Sequence, residues 1–126
     1  MAVVASRRVV LQEKKGRTLF DFDKATLKPA AQQELASVVQ ELQENPTLRA
    51  ELVGHTDATG AEEYNLGLSK RRAEAVRNFL GAKGIAENRL QLAWKGEREP
   101  LAPNTTPEGQ AQNRRVEITL RPMPLQ

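Results

Sequence analysis

The sequence of 126 residues contains no cysteine, which excludes disulfide bonds, thiolate zinc sites and cysteine-based catalysis. Its one histidine, His55, has no second imidazole or thiolate to complete a metal site, so we expect neither a metal nor a cofactor. With one Trp and one Tyr, a stacking surface for bases is hard to build, and we expect no nucleic-acid partner. No apolar run approaches the roughly 20 residues that cross a bilayer, so we expect no membrane span.

The composition that remains is that of one folded domain. Hydrophobic residues make up 39% of the chain and charged residues 28%, and a net charge of +3 is too small for a disordered chain. The basic residues are spread along the chain and are matched by 16 acidic ones. The first eight residues lack the basic head and long apolar core of a secretion signal. We expect an N-terminal extension at 1–7, one domain at 8–121 and a C-terminal tail at 122–126.

Hydrophobic periodicity predicts the secondary structure. Helices are expected at 29–44 and from after residue 60 to about 83, the second ending at Gly84 and Ile85. Strands are expected where β-branched and apolar residues alternate, at 8–12, 17–22, 48–54, 90–94 and 116–120. The stretch 100–112, rich in Pro, Asn, Thr and Gly, is expected to be a surface loop. This order predicts an α+β fold, a βαβαβ-type mixed sheet with two main helices packed on one face.

Asp57 and Arg72 are the strongest candidates for binding chemistry. Asp57 follows a predicted strand and precedes a helix whose amides and dipole would stabilise a carboxylate. Arg72 lies on that helix at a spacing that lets its side chain reach back toward the loop. Together they would suit a zwitterion, the carboxylate for its ammonium group and the guanidinium for its carboxylate. The spacing also allows Asp57 to be only a helix cap, or the two residues to form a structural salt bridge.

Other polar residues have plainer explanations. Ser69, His55 and Asp57 could form a triad on paper, but no nucleophile-elbow motif surrounds the serine, and we expect no enzyme activity. Arg114 and Arg115 precede the last strand and should point to opposite faces of the sheet. One of them would then be a supporting side chain and the other would be solvated.

Four segments occur in a fixed order and carry a family resemblance. They are Phe-Asp-Phe-Asp-Lys-Ala-Thr-Leu-Lys-Pro (20–29), Gly-His-Thr-Asp (54–57), Tyr-Asn-Leu-Gly-Leu-Ser-Lys-Arg-Arg-Ala (64–73) and Asn-Arg-Arg-Val-Glu-Ile (113–118). With these segments, roughly residues 8–120 resemble the OmpA-like C-terminal domains of OmpA-type outer-membrane proteins, peptidoglycan-associated lipoproteins and MotB-type flagellar stator proteins. The chain departs from the usual pattern at the bulky Trp94, which is expected in the core or at a rim, and in the variable stretch 100–112.

The resemblance implies non-covalent binding of peptidoglycan, chiefly through the diaminopimelate of the peptide stem. Asp57 and Arg72 match the two family positions that hold the charged groups of the ligand. The loop around Phe22 and Asp23 is implied to contribute largely through its backbone. The ligand contacts implied beyond the central pair are Phe22, Asp23, Thr59, Asn65, Leu68 and Arg115.

The resemblance further implies a periplasmic location, in a protein anchored at the outer or inner membrane that the domain would attach to the wall. Two other functions stay open at this point. The domain could chiefly bind other envelope proteins, in which case an Asp57→Ala variant would lose partner binding and not only wall binding. It could also hydrolyse the wall, in which case soluble fragments would appear on incubation with muropeptides.

Overall fold

The computed structural model describes residues 7–12 and 27–123. The strands in these ranges are β1 (Arg7–Gln12), β2 (Leu48–His55), β3 (Leu90–Gly96) and β4 (Arg115–Pro122). The helices are α1 (Pro29–Glu44), α2 (Glu62–Ala82) and α3 (Pro107–Asn113), with a short 3-10 helix at Glu87–Arg89. None of the described helices combines the length and apolar character needed to cross a membrane.

The strands form one mixed sheet in the order β1-β4-β2-β3. Strand β4 is antiparallel to both of its neighbours, whereas β2 and β3 are parallel. Two parallel neighbours need a crossover connection, and α2 provides it. The carboxyl end of β2 therefore lies beside the carboxyl end of β3 and the amino end of β4, where His55 pairs with Gly96 and Arg115.

Helices α1 and α2 pack on one face of this sheet around a single apolar core. Alternate residues of β2 and β4 are buried and pair across the strands, as Ala50 does with Leu120 and Leu52 with Ile118. Helix α1 contributes a stripe at helical spacing, namely Leu35, Val38, Val39 and Leu42. Helix α2 contributes Ala73, Val76 and Leu80. The predicted α+β fold, with two main helices on one face of a mixed sheet, is confirmed.

The ends of both long helices follow the sequence signals. Pro29 occupies the first turn of α1, where its missing N–H is not needed. Beyond α2, Gly84 has a φ of 93°, and the Ile85 N–H donates to the Leu80 carbonyl at 3.2 Å. Ile85 itself is buried, so the predicted glycine cap with an apolar clasp is confirmed.

The stretch 100–112 was predicted to be a loop along its whole length, but its second half belongs to α3, which spans Pro107–Asn113. Thr106 caps this helix by accepting a hydrogen bond from the Gly109 N–H at 3.0 Å, and Pro107 starts it. A threonine before a proline was therefore the signal, hidden within a composition typical of turns. The strand predicted at 17–22 lies outside the described residues.

Arg89 fastens the end of α1 to the start of β2. Its guanidinium donates to three backbone carbonyls, those of Leu42 at 2.8 Å, Asn45 at 2.9 Å and Leu48 at 2.8 Å. Hydrogen bonds from a charged donor contribute more than neutral ones, and removing the donor leaves these carbonyls without it. We expect Arg89→Ala to lower the free energy of unfolding by about 2 kcal/mol, measured by urea denaturation.

The matched control is Arg77→Ala on α2. This change removes a surface ion pair with Glu74, one helical turn away at 3.9 Å. Such pairs contribute little, and we expect a change below about 0.5 kcal/mol. Equal losses of unfolding free energy in the two variants would show that the carbonyl contacts of Arg89 stabilise the protein no more than a surface ion pair does.

Candidate functional site

The loop between β2 and α2, residues 56–61, forms the centre of the candidate site. It follows a close approach of strand and helix, since a Cβ on Gly54 would lie 2.0 Å from the backbone oxygen of Ser69. Thr56 fixes the first residue of the loop to the neighbouring strand, its N–H donating to the Gly96 carbonyl at 2.9 Å. The end of β2 and one face of α2 therefore border a common cleft.

A pocket of about 250 Å³ opens at this cleft. It is lined by the loop, by the first half of α2 and by one residue that precedes β4. The lining residues are Thr56, Asp57, Thr59, Gly60, Tyr64, Asn65, Leu68, Arg72 and Arg114. Five of the predicted contact residues are among them, namely Asp57, Thr59, Asn65, Leu68 and Arg72.

Among the described residues, Asp57 accepts a hydrogen bond at each of its carboxylate oxygens. The Thr59 N–H donates to Oδ1 at 2.8 Å, and the Arg114 guanidinium donates to Oδ2 at 2.7 Å. Burial by itself would raise the pKa of Asp57, but the contacts with Arg114 and Thr59 outweigh it and hold that pKa below its ordinary value. Asp57 is therefore an anion at neutral pH that faces the pocket with its position fixed.

Neither of the two structural explanations that the sequence left open for Asp57 describes its contacts in the structure. Helix α2 begins at Glu62 with Ala61 as its N-cap, so Asp57 closes a turn within the loop and does not cap the helix. Within the described part of the chain its ion pair is formed with Arg114. The salt bridge with Arg72 that the spacing allowed is not the one formed.

Arg72 is buried, with 2% of its surface exposed, although it carries a full charge. It shares one face of α2 with Asn65 and Leu68, which precede it at helical spacing. Asn65 also steadies the loop, because its Nδ2 donates to the Thr59 carbonyl at 2.9 Å. The helix thus supplies a guanidinium to the pocket and a tether to the loop that carries Asp57.

Arg114 is the charged site residue that sequence reasoning missed, and Thr56, Gly60 and Tyr64 also line the pocket without having been predicted. Arg114 follows α3 as its C-cap, with φ −80° and ψ 92°, and lies just before β4. The alternation of faces along a strand does not extend to such a residue, so the argument from alternation could not place it. Its position in the Asn-Arg-Arg segment was the available signal, but the ligand contact in that segment was assigned to Arg115.

Arg115 does not line the pocket. It is buried at the start of β4, where its Nε donates to Glu117 at 2.6 Å and its Nη2 to the Glu99 carbonyl at 2.9 Å. These bonds tie the loop after β3 to the sheet. The structure therefore places Arg115 as a support for the fold beside the site.

The residues of the conceivable triad are used in other ways. The Ser69 hydroxyl donates to the Leu66 carbonyl at 2.7 Å and accepts from the Gly96 N–H at 3.0 Å. His55 is buried, and its Nε2 lies 3.6 Å from a Glu117 oxygen. Ser69 thus joins α2 to the end of β3, whereas His55 is packed in the sheet behind the pocket, and neither is among the lining residues.

Two further predictions concern other parts of the chain. Phe22 and Asp23 lie outside the described residues, so their predicted backbone contacts stay a prediction. Trp94 is 38% exposed on β3, and the Lys70 ammonium lies 5.0 Å from the centre of its ring. It is a surface residue outside the pocket lining.

Residues 19–114 match the family model described as the OmpA family. The chain belongs to the OmpA family. Outer membrane protein A of Bordetella avium is 48% identical to it over 103 residues, which cover 82% of this chain and 53% of that protein. The peptidoglycan-binding protein ArfA of Mycobacterium tuberculosis (strain ATCC 25618 / H37Rv) is 41% identical over 105 residues, or 83% of this chain and 32% of that protein. This OmpA-family chain thus spans about half, or less, of the length of these relatives.

A solved structure shows the same fold. The crystal structure of the peptidoglycan-associated lipoprotein from Burkholderia pseudomallei matches this OmpA-family chain with a TM-score of 0.77. The two are 33% identical, and the match covers 82% of this chain and 87% of that one. The family predicted from the four sequence segments is confirmed.

Proposed function

We propose that this OmpA-family chain binds peptidoglycan non-covalently, through the diaminopimelate of the peptide stem. The observation that carries the proposal is a single pocket lined by one carboxylate, that of Asp57, and by two guanidiniums, those of Arg72 and Arg114. The names of two similar proteins support it, since one is a peptidoglycan-binding protein and the other a peptidoglycan-associated lipoprotein.

Diaminopimelate ends in a carbon that carries both an ammonium group and a carboxylate. Asp57 would accept hydrogen bonds from the ammonium, while the planar fork of Arg72 would receive the carboxylate through two parallel bonds. Arg114 already binds Oδ2 of Asp57, so it would orient that carboxylate before the ligand arrives. A lysine in the same stem position offers the ammonium alone, and the guanidinium would then lose its partner.

The size of the pocket agrees with a small ligand group. A volume of about 250 Å³ lies below the roughly 300–1,000 Å³ of drug-sized sites, which suits the end of an amino acid better than a sugar chain. A few charge-assisted bonds of roughly 1.5–3 kcal/mol each, less the cost of association, give a micromolar or weaker affinity per site. The wall presents its stems as a dense array, so a tethered domain gains strength from effective concentration.

Calorimetric titration with a diaminopimelate stem peptide tests the proposal. We expect saturable binding, and binding at least roughly tenfold weaker to the peptide that carries lysine instead, because one charge-assisted contact is missing. Equal affinities would remove diaminopimelate as the group recognised. If neither peptide bound, wall binding through this pocket would be rejected.

The variant that tests the pocket itself is Arg72→Lys. Truncation of this buried residue to alanine would also open a cavity in the core, whereas lysine keeps the charge and the stem but loses the planar fork. Arg77→Lys, the same change five residues further along α2 and outside the pocket, is the matched control. Thermal unfolding of both variants separates a lost contact from a lost fold.

We also propose that the domain acts in the periplasm, where it attaches an envelope protein to the wall without chemical turnover. Binding alone accounts for the charged residues of the pocket, since an anion and two guanidiniums complement a zwitterion. Intact wall fragments after prolonged incubation with the protein are the expected result. The appearance of soluble muropeptides would contradict it.

A further inference from the structure

The segment 101–114, which runs from the loop after β3 through α3, touches the site loop at two neighbouring points. The Asn104 Oδ1 accepts a hydrogen bond from the Ala58 N–H at 3.1 Å. The Arg114 guanidinium binds Asp57, the residue just before Ala58, at 2.7 Å. Both contacts come from a part of the chain more than 40 residues away in sequence.

Asn113 joins these two points and is fully buried. Its Oδ1 accepts from the N–H groups of Leu101 and Ala102 at 2.7 and 2.9 Å. Its Nδ2 donates to the Ala102 carbonyl at 2.8 Å and to the Asn104 Oδ1 at 2.9 Å. Each polar atom of the Asn113 amide thus has two partners, so the orientation of the Asn104 side chain is set from the interior.

The segment is also closely packed within itself. A Cβ on Gly109 would lie 1.8 Å from the Pro103 carbonyl oxygen, so α3 rests directly on the loop before it. The Gln110 Nε2 donates to the Asn104 carbonyl at 2.9 Å and fixes the backbone of that residue as well. Asn104 therefore presents its oxygen to Ala58 from a well-supported position.

The site loop, by contrast, is exposed beyond Asp57. Residues 58–61 are exposed, and Gly60 has a φ of 88°, a backbone angle that residues other than glycine rarely adopt. A loop of this kind samples other conformations unless something holds it. Any conformation that turns Asp57 away from the pocket lowers the apparent affinity by the fraction of time spent there.

We propose that Asn104 is a positioning residue of the binding site, which holds the loop in the conformation that presents Asp57 to the ligand. This inference rests on the proposed binding function for its readout in affinity. It also assigns a role to Asn113, as the buried amide that orients Asn104 and immediately precedes Arg114. The stretch 100–112 thereby becomes part of the site without lining its pocket.

The test compares Asn104→Ala with Asn104→Asp, which keeps an acceptor oxygen at the same place. Affinity for a diaminopimelate stem peptide should fall roughly three- to tenfold in Asn104→Ala, the equivalent of one hydrogen bond. It should stay within about twofold of wild type in Asn104→Asp, titrated at roughly 0.15 M salt to screen the added charge. Thr105→Ala, a change at the exposed neighbour, is the control and should bind as wild type does.

Amide hydrogen exchange of Ala58 gives a readout that needs no ligand. Its N–H should exchange roughly tenfold faster in Asn104→Ala and regain protection in Asn104→Asp. A lower melting temperature with unchanged affinity and unchanged Ala58 exchange would overturn the proposal and leave Asn104 a purely structural residue. If wild type bound no stem peptide, the proposed function would fail, while Ala58 exchange would still decide whether Asn104 holds the loop.

Discussion

Gly54→Ala should destabilise the protein by about 3 kcal/mol or more, although it adds a single methyl group. The new Cβ would lie 2.0 Å from the backbone oxygen of Ser69 and 2.8 Å from its carbonyl carbon. A backbone group cannot rotate away as a side chain can, so β2 and α2 must separate. Overpacking of this kind costs typically 1–3 kcal/mol and more where the backbone has to move.

The separation should also disturb ligand binding, because lining residues of the pocket follow β2 on one side of this contact and lie on α2 on the other. Asp57 follows β2 and Arg72 lies on α2, so a shift between them changes the distance that the ligand must span. We expect a melting temperature lower by about 10 °C, measured by circular dichroism, and weaker stem-peptide binding in the fraction that stays folded.

The control for this prediction is Gly81→Ala, on the exposed side of α2. A Cβ there meets nothing within 4 Å, and alanine is the better helix former, so stability should rise by about 0.5–1 kcal/mol. If Gly54→Ala were as stable as wild type, the close approach of strand and helix at this point would be wrong.

The elements of the fold could be predicted from the sequence because their patterns are local. A stripe such as Leu35, Val38 and Leu42 defines a helix within about three turns, and alternation defines a strand within a few residues. Strand order is different, since β4 enters the sheet between β1 and β2 from the far end of the chain. The local periodicity of apolar residues does not indicate which strands become neighbours in the sheet.

The candidate site shows the same division between local and distant information. Asp57, Asn65 and Arg72 belong to one loop and the helix that follows it, so their spacing along the chain already brought them together. Arg114 reaches Asp57 across 57 residues of sequence, through a short helix that the composition concealed. Its neighbour Arg115 was the residue predicted to contact the ligand, but Arg115 begins β4 and is buried in the sheet, whereas Arg114 precedes the strand.

Lowering the pH from 7 to 4 should reduce the free energy of unfolding by about 3 kcal/mol through His55 alone. Burial first, and then the positive charge of Arg115, lower the pKa of His55 from 6.5 to about 4. Arg8 acts in the same direction, while Glu117 and Glu99 oppose it. The balance favours a neutral ring in the folded protein, which agrees with a side chain that is almost fully buried.

The sign follows from the proton balance of the two states. In the unfolded chain His55 takes up a proton near pH 6.5, whereas the folded protein takes it up only near pH 4. The unfolded state therefore binds more protons between these values, and stability falls as the pH is lowered through this window. Above pH 6.5 the contribution is complete, and below pH 4 it is fully lost.

Urea denaturation at half-unit steps from pH 7.5 to pH 4 measures this loss, and His55→Gln is the informative variant. Glutamine cannot titrate, so its stability curve should be flatter than that of wild type by about 3 kcal/mol over the window. Asp57 contributes at lower pH. Because its pKa is lowered in the folded protein, its contribution to stability is present above its ordinary pKa of 3.8 and is lost as the pH falls further. If wild type and His55→Gln lost stability in parallel between pH 6.5 and pH 4, the buried ring would not be the group that titrates. A loss confined to wild type would show that β2, the strand leading into the site loop, depends on keeping this histidine neutral.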